Sequence, residues 1–325
     1  MSGSRRLLLL LSVVLASHLT AGEPRLVDAM NVIVEPSSKK SLLTFGVGHL
    51  QASANEVVYG GPGPGDGKLS ELNWKTQHAV TLQIGVTRNL LPRIDLFANG
   101  TYGYEANSEM VDTDWLGFDA NWTDRSRHPD TSLEHYVQGD VGLSWLALDR
   151  GSWQLFLRGG FRYTDIAWAA HGGSYVYSTF PPFTFRDQQG NFPNGALGIA
   201  YRQKIPGVFL GPQFSCALGR LTLRGGGLAG MSISPSDRDR HWAAGSIFVE
   251  EFDQQVFFGG NVGLDYTLEN ALTLFFEGVY DKFPLMKGSS QFTDLATGET
   301  QLEGGAAAGA SLETWQIRGG VKLPF

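Results

Sequence analysis

The end of the chain alternates between two kinds of side chain. From Trp315 to Phe325 one parity is apolar with aromatic ends, and the other is mostly polar and includes Gln316, Arg318 and Lys322. Successive side chains of a β-strand point to opposite faces, so this segment predicts a strand with one apolar and one wet face. A membrane-barrel strand over a polar interior has this pattern. A half-buried strand of a soluble sandwich is the alternative.

The alternation is repeated along the chain, which favours the membrane barrel. Four further segments show it: 80–87, 94–104, 153–164 and 272–280. The chain also has 42 glycines, 20 Phe, 10 Tyr and 8 Trp, which with few helical patterns indicate β-structure. A chain that ends in Phe after such a strand resembles the outer-membrane barrel proteins of Gram-negative bacteria.

Short and long connections between the strands alternate, as periplasmic turns and external loops do. We therefore expect an all-β fold, a ten-stranded antiparallel transmembrane β-barrel with long extracellular loops and no open edge. The expected strands are 41–58, 68–90, 93–106, 133–148, 152–175, 196–218, 221–233, 256–267, 271–283 and 312–325. The long external links fall near 59–67, 107–132, 176–195, 234–255 and 284–311.

The N-terminus has the features of a secretory signal peptide. Arg5 and Arg6 precede an apolar run from Leu7 to Ala16, and small residues follow. We expect a signal peptide over 1–21, a periplasmic lead-in over 22–40 and the barrel domain over 41–325. An uncleaved anchor is the alternative for the first segment.

Composition excludes several other classes. The net charge of −7 argues against a nucleic-acid partner. The single cysteine, Cys216, cannot form an intramolecular disulfide and reads as a barrel-wall residue. The glycine-rich stretch 60–67 lacks the Lys-Ser/Thr ending of a phosphate-binding loop and predicts a flexible loop tip.

Two short acidic segments carry the chemistry. In Met110–Trp115, Asp112 and Asp114 stand two residues apart, and in Ser236–His241 so do Asp239 and His241. In an extended backbone such residues point the same way, roughly 6–7 Å apart. We expect both segments at the extracellular rim, on external links, where a carboxylate pair facing an Asp–His pair can hold and activate a water molecule.

Each segment also has a simpler interpretation. An Asp-x-Asp or Asp-x-His in an external loop is usually a solvated turn. Calcium is a competitor for Asp112, Asp114, Asp237 and Asp239, but EF-hand spacing is missing and His is a poor calcium ligand. Zinc is disfavoured because one His stands among carboxylates. We therefore predict no metal.

The chain resembles the omptin family of outer-membrane proteases from about Leu42 to Phe325. The most specific stretches are Met110–Trp115, Trp122–Thr131, Gly172–Tyr175, Phe192–Gly195 and then Asp237–His241, in the family's order. The resemblance implies an aspartic-type endopeptidase in the bacterial outer membrane, with its active site facing the extracellular side. It implies cleavage between two basic residues by water, without an acyl-enzyme.

The resemblance also assigns roles to residues. Asp112 and Asp114 match one catalytic pair, and Asp239 and His241 match the other. Substrate-binding positions are matched by Glu56 and Asp237, on the floor of the pocket for the basic residue before the cut, and by Asp124 across the groove. The expected substrates are cationic peptides and proteins. Arg238 and Arg240, between the acids, are expected to face away.

Lipopolysaccharide is the lipid partner that the resemblance implies, and no other cofactor is expected. It is expected to be needed for activity and to bind basic residues on the outer wall. Asp165 departs from the Arg of the family pattern, whereas Lys204 keeps a basic group at the companion position. The parity of Arg158 and Arg162 predicts that they face the interior.

Two other functions remain open at this point. A catalytically inactive omptin-like adhesin or surface-binding barrel would have the same wall, although the four catalytic positions are intact. A passive pore is disfavoured because Arg158, Arg162 and Glu277 predict a filled lumen in an already narrow barrel. His128 is interpreted as a structural residue rather than a second base.

Overall fold

The computed structural model describes residues 41–104, 106–117 and 119–325, with the side chain of Asp66 excepted. The predicted signal peptide (1–21) and lead-in (22–40) lie outside the described residues. Within the described part no helix is long and apolar enough to cross a membrane.

Fifteen strands and one helical turn make up the described chain. They are β1 (Leu42–Tyr59), α1 (Pro64–Gly67), β2 (Lys68–Leu91), β3 (Ile94–Tyr104), β4 (Ala106–Asp114), β5 (Asp124–Asp149), β6 (Trp153–His171), β7 (Ser174–Thr179), β8 (Thr184–Asn191), β9 (Leu197–Leu218), β10 (Leu221–Ser232), β11 (Ser236–His241), β12 (Ser246–Phe252), β13 (Val256–Thr267), β14 (Thr273–Asp294) and β15 (Thr300–Pro324).

The sheet closes on itself because β1 pairs with both β2 and β15. All pairings are antiparallel. Near the short turns the ring is β1, β2, β3, β5, β6, β9, β10, β13, β14 and β15. At the opposite end β4 replaces β3, and β11 and β12 replace β10 and β13. Both rings have ten strands, so the prediction of a ten-stranded β-barrel is confirmed.

The outer wall carries the apolar parity of the strands. Trp315 and Ile317 are each 55% exposed, and Val47, Leu82 and Phe276 are exposed on other strands. Exposed apolar side chains in a band around a closed sheet face lipid rather than water. The alternation of Trp315–Phe325 is therefore read correctly, and Pro324 ends β15, where its missing N–H costs no ladder bond.

Charged and aromatic side chains line the lumen around a cavity of about 440 Å³. Arg162 is buried and bonds Asp140 through Nε (2.8 Å) and Asp281 through Nη1 (2.5 Å). The Arg158 guanidinium lies 4.0 Å from the centre of the Phe97 ring. Both arginines lie inside, as their parity predicts, and Glu277 joins them by pairing with Arg318.

The indole of Trp74 lies between the lumen and the rim. It stacks against Trp168 and Tyr201, with ring centres 5.8 and 5.5 Å apart. The Trp168 Nε1–H donates to Thr76 Oγ1 at 2.8 Å. All three rings are buried. This layer forms a rigid floor directly beneath the side chains of the rim.

The strands extend further than the sequence predicts, and this corrects the placement of the acidic segments. Links expected at 107–132 and 234–255 contain β4, β11 and β12, which are paired on both sides. Asp112 and Asp114 therefore lie on β4, and Asp239 and His241 on β11, rather than on loops. Strands such as β5, with 26 residues, exceed the roughly 9–11 residues that cross a bilayer. The barrel continues beyond the membrane as a rigid wall.

Candidate active site

The functional side chains of β11 share one face of their strand. Asp237 and Asp239 are buried, His241 is partly buried beside them, and Arg238 between them is exposed. The Arg240 guanidinium packs over the Trp242 ring at 3.5 Å from its centre. Alternation along an extended strand thus separates the acids from the arginines, as the spacing predicts.

Asp239 and His241 form a hydrogen-bonded pair. Oδ2 of Asp239 is bonded to Nε2 of His241, and Asp239 is only 1% exposed. Burial opposes the charged imidazolium, but the carboxylate of Asp239 and those of Asp112 and Asp114 outweigh it and raise the pKa of His241 to about 9. The imidazole is oriented by its partner and holds a proton at neutral pH.

The β4 carboxylates act on His241 from across the barrel mouth. Ser70 Oγ on β2 donates to Asp112 Oδ1 at 3.3 Å. Burial raises the pKa of Asp112 to about 6, although the charge of His241 opposes the shift. Burial and the neighbouring Asp112 raise the pKa of Asp114 well above its ordinary value. The pair therefore takes up a proton more readily than two exposed aspartates.

A buried acidic pocket adjoins this cluster. Glu56 on β1 is 1% exposed, and burial, followed by the charges of Asp239, Glu250 and Asp237, raises its pKa well above the usual range. The Tyr201 hydroxyl donates to Asp237 Oδ2 at 2.7 Å. Oε2 of Glu56 and Oδ1 of Asp237 have no hydrogen-bond partner among the described residues. These two carboxylate oxygens are buried without the donors that would compensate a negative charge.

Comparisons with known proteins identify the family of this chain. The sequence model of the Omptin family matches residues 38–325. Protease 7 of Escherichia coli O157:H7 is 29% identical over 254 residues, covering 76% of this chain and 79% of the relative. The plasminogen activator of Yersinia pestis is 26% identical over 280 residues, covering 86% and 87%.

The chain belongs to the omptin family. The crystal structure of the outer-membrane protease OmpT from Escherichia coli superposes with a TM-score of 0.81 at 26% identity, covering 89% of this chain and 98% of that one. These matches support a protease function at the bacterial outer membrane. The matches do not assign roles to individual residues.

Asp124 lies beside Asp112 and Asp114 in this omptin, and a backbone hydrogen bond from β7 fixes its carboxylate. It begins β5, where it pairs with Asp114 of β4. Its Oδ1 accepts the backbone N–H of Ser178 on β7 at 3.1 Å. Its charge contributes to the raised pKa values of Asp112 and Asp114. Its role as a substrate-binding residue across the groove stays a prediction.

Glu250, Tyr201 and Tyr177 belong to this cluster and were not found from the sequence. Glu250 is fully buried on β12, opposite Asp237 in the β11–β12 pair. Burial and the charges of Asp112 and Asp114 raise the pKa of Tyr177 on β7. The one available signal for Glu250 was a hairpin centred between Ala243 and Ala244, which places residues 237 and 250 opposite each other. The polar composition of 234–255 concealed that hairpin.

His128 and Cys216 lie outside the two acidic segments, although His128 is close enough for the charge of His241 to affect its pKa. His128 is buried, its Nε2 is 2.9 Å from Ser126 Oγ, and its ring stacks on Phe192 at 5.2 Å. Burial lowers its pKa. Cys216 is a half-buried residue of β9 close to the turn that ends this strand. Both positions agree with the structural interpretation.

Asp165, which stands where the family pattern has Arg, lies on the outer wall of the barrel. Its carboxylate accepts hydrogen bonds from Arg202 Nε (2.8 Å) and Tyr163 Oη (3.0 Å) and contacts His135 Nε2 (2.9 Å). Lys204 pairs with Asp165 across β6 and β9 and is exposed. Two basic side chains therefore surround the acidic replacement on the wall.

Within the described residues, no group of three or more His, Cys, Asp or Glu side chains is arranged to hold a metal ion.

Proposed function

We propose that this omptin is an endopeptidase that cleaves after basic residues, and best between two of them, by means of an activated water molecule. The observation that carries the proposal is the hydrogen-bonded Asp239–His241 pair acting on Asp112 and Asp114 next to a buried acidic pocket. The closed barrel holds these groups on paired strands, so their geometry exists before substrate binds.

His241 serves as the general base in this proposal. Asp239 fixes the orientation of the imidazole and stabilises the imidazolium that forms when the water gives up its proton. Because the pKa of His241 is about 9, most of the free enzyme holds the protonated form at pH 7. A cationic substrate beside it disfavours the imidazolium and so increases the fraction of active base.

Asp112 and Asp114 hold the water from the opposite wall. Their raised pKa values let the pair carry a proton, and a protonated carboxyl can donate to the oxygen that becomes negative as the peptide carbonyl is attacked. Ser70 donates its hydroxyl to Asp112, so it orients this carboxylate rather than acting as a nucleophile. The attack by water then proceeds without a covalent intermediate, and the imidazolium of His241 returns the proton to the amine that leaves when the peptide C–N bond breaks.

The acidic pocket supplies the specificity. Glu56 and Asp237 would receive the basic side chain before the scissile bond, with Arg bound through a fork and Lys as a point charge. Asp124, across the groove, would receive the basic residue that follows. The combined negative charge also steers cationic peptides and proteins to the rim, more weakly at high salt.

Lipopolysaccharide is the proposed activating partner. Arg202 and Lys204 face outward on β9, and basic groups at this position can contact lipid phosphates. Asp165 is already paired with Arg202, which reduces the positive charge available there. We therefore expect binding of lipopolysaccharide through Lys204 and part of the Arg202 guanidinium.

The direct test uses a quenched fluorescent peptide with an Arg-Arg bond and the refolded barrel with and without lipopolysaccharide. The expected result is cleavage between the arginines that depends on the lipid and is lost in His241→Ala and Asp112→Ala. Native protein that cleaves nothing across pH and lipid conditions would favour the inactive adhesin. Equal activity without the lipid would contradict the proposed activation.

A further inference from the structure

Glu250 faces the same space as the acidic pocket from a different strand. It pairs with Asp237 across β11 and β12, so the two side chains stand side by side on the inner face. Glu250 is 0% exposed, whereas its neighbour Glu251 points outward and is exposed. β12 therefore adds a carboxylate to those that β1 and β11 supply.

Both carboxylate oxygens of Glu250 are buried without a hydrogen-bond partner among the described residues. A buried charge in that position is costly unless a counter-charge or a proton compensates it. Glu56 and Asp237 each have one unpartnered oxygen as well. Three carboxyl groups from three strands thus converge, and four of their six oxygens lack a hydrogen-bond partner among the described residues.

We propose that Glu250 is a third carboxylate of the pocket for the basic side chain before the scissile bond, and that the pocket releases a proton when the cation enters. This inference rests on the proposed function, because it deepens the specificity of the same site. It assigns a substrate contact to a residue of this chain outside the acidic segments that carry the family resemblance.

The ionisation of the neighbours supports the proton release. Burial raises the pKa of Glu250 to about 8, although the nearby side chains of Ser290 and Asp237 oppose the shift, and the charge of Asp239 adds to it. The titratable groups that face Glu250 are Glu56 on β1, Tyr201 on β9, and Asp237 and Asp239 on β11. Two adjacent carboxyl groups such as Glu250 and Asp237 can share a proton, and this neighbourhood raises the pKa of Asp237. A guanidinium or ammonium replaces that proton, and its own donors satisfy the freed oxygens.

The sign of the pH dependence follows. Above about pH 8 Glu250 is already ionised and the cation binds without proton release. Below that pH, binding must expel the proton, so affinity falls as the pH is lowered. Removing the ionisable group by Glu250→Gln should weaken binding most at high pH and flatten the pH dependence between pH 9 and pH 6.

The experiment measures binding separately from cleavage. Argininamide, with neutral citrullinamide as the ligand control, is titrated calorimetrically into the refolded barrel in two buffers of different ionisation enthalpy. Native protein, Glu250→Gln and Glu251→Gln are compared, the last removing the same charge from the outward face. Cleavage of the Arg-Arg peptide is measured on the same preparations, and heat-modifiable gel migration checks that each barrel is folded.

We expect native protein to bind argininamide with proton release at pH 7. Glu250→Gln should bind about tenfold or more weakly at pH 9 and release fewer protons at pH 7, and Glu251→Gln should match native protein. Equal affinity and equal proton release in Glu250→Gln would overturn the inference. Absence of proton release in native protein would overturn it without any variant.

The two proposals fail in different ways. Native protein that binds argininamide with proton release but cleaves no peptide would refute the endopeptidase while supporting the pocket. Native protein that cleaves the Arg-Arg bond, with Glu250→Gln equal to it in KM at every pH, would refute only the role of Glu250. Native protein that does not distinguish argininamide from citrullinamide would refute the acidic pocket as a whole.

Discussion

Oδ2 of Asp239 is hydrogen-bonded to Nε2 of His241, two residues further along the same face of β11. Asp239→Asn keeps the shape but removes the charge that raises the pKa of His241. We expect kcat to fall by about 10²–10⁴-fold, the range of general acid–base contributions. The residual pH profile should shift to lower pH, because the imidazole then loses its proton more easily. An unshifted profile would mean that Asp239 does not act through His241.

The native pH profile is a second prediction. If neutral His241 is the base, the fraction of enzyme with a neutral imidazole increases about tenfold for each unit by which the pH is raised, until the pH reaches the pKa. With the pKa of His241 near 9, kcat/KM should increase from pH 6 towards pH 9. Initial rates on the Arg-Arg peptide in buffers of constant ionic strength measure this. A rate that is flat or falls over this range would exclude His241 as the base.

Asp112 and Asp114 should affect turnover more than binding. They act on His241 from the opposite wall, and neither lies on the strands that supply Glu56 and Asp237. Asp112→Asn and Asp114→Asn are therefore expected to reduce kcat by about 10²-fold or more and to change KM less. Glu109→Gln, on the exposed face of the same strand, is the control. Near-native turnover in both Asn variants would refute their assigned role.

Tyr201 should support the pocket through its hydroxyl. Tyr201→Phe removes the donor to Asp237 and leaves Oδ2 unsatisfied, at a cost of about 1–3 kcal/mol when this carboxylate is charged. We expect KM for basic peptides to change while kcat changes little. Tyr163→Phe removes a comparable hydroxyl on the outer wall and should leave KM unchanged. Identical KM values in both variants would show that the Tyr201 hydroxyl does not contribute to substrate binding in the pocket.

The lumen network predicts a stability effect. Arg162→Met leaves the carboxylates of Asp140 and Asp281 in the lumen without their main partner and should destabilise the barrel by about 3–5 kcal/mol. Arg220→Met breaks an exposed pair with Glu269 and should cost at most about 1 kcal/mol. Denaturant unfolding in micelles measures both. Equal unfolding midpoints would show that the buried network contributes nothing beyond a surface pair.

The sequence predicted the membrane part of the barrel better than the rim. Residues Trp315–Phe325 alternate strictly between apolar and polar, because one face of the strand contacts lipid and the other faces the polar lumen. The strand, its lipid-facing side and its end could therefore all be predicted. The parity of Arg158 and Arg162 also placed them correctly. Beyond the membrane the outer face of a strand meets water, and the inner faces of β4 and β11 also carry polar side chains such as Asp112 and Asp239. β4 and β11 therefore lack the alternation that marks a strand and resembled loops.

The site divides in the same way. Asp112 and Asp114, and Asp239 and His241, were recognisable because their partners stand two residues away on one strand. Glu250 was missed because its partner Asp237 lies on the neighbouring strand, and only the register of the β11–β12 pair brings them together. Local spacing reveals contacts within a strand, whereas contacts between strands require the pairing itself.

The most direct measurement of the central claim is cleavage of the quenched Arg-Arg peptide by the refolded, lipopolysaccharide-containing barrel, with the product bond identified by mass spectrometry. The account predicts cleavage between the two arginines by native protein, with activity lost in folded His241→Ala and Asp112→Ala. Undiminished cleavage by either variant, or no cleavage by native protein from pH 6 to pH 9, would contradict it.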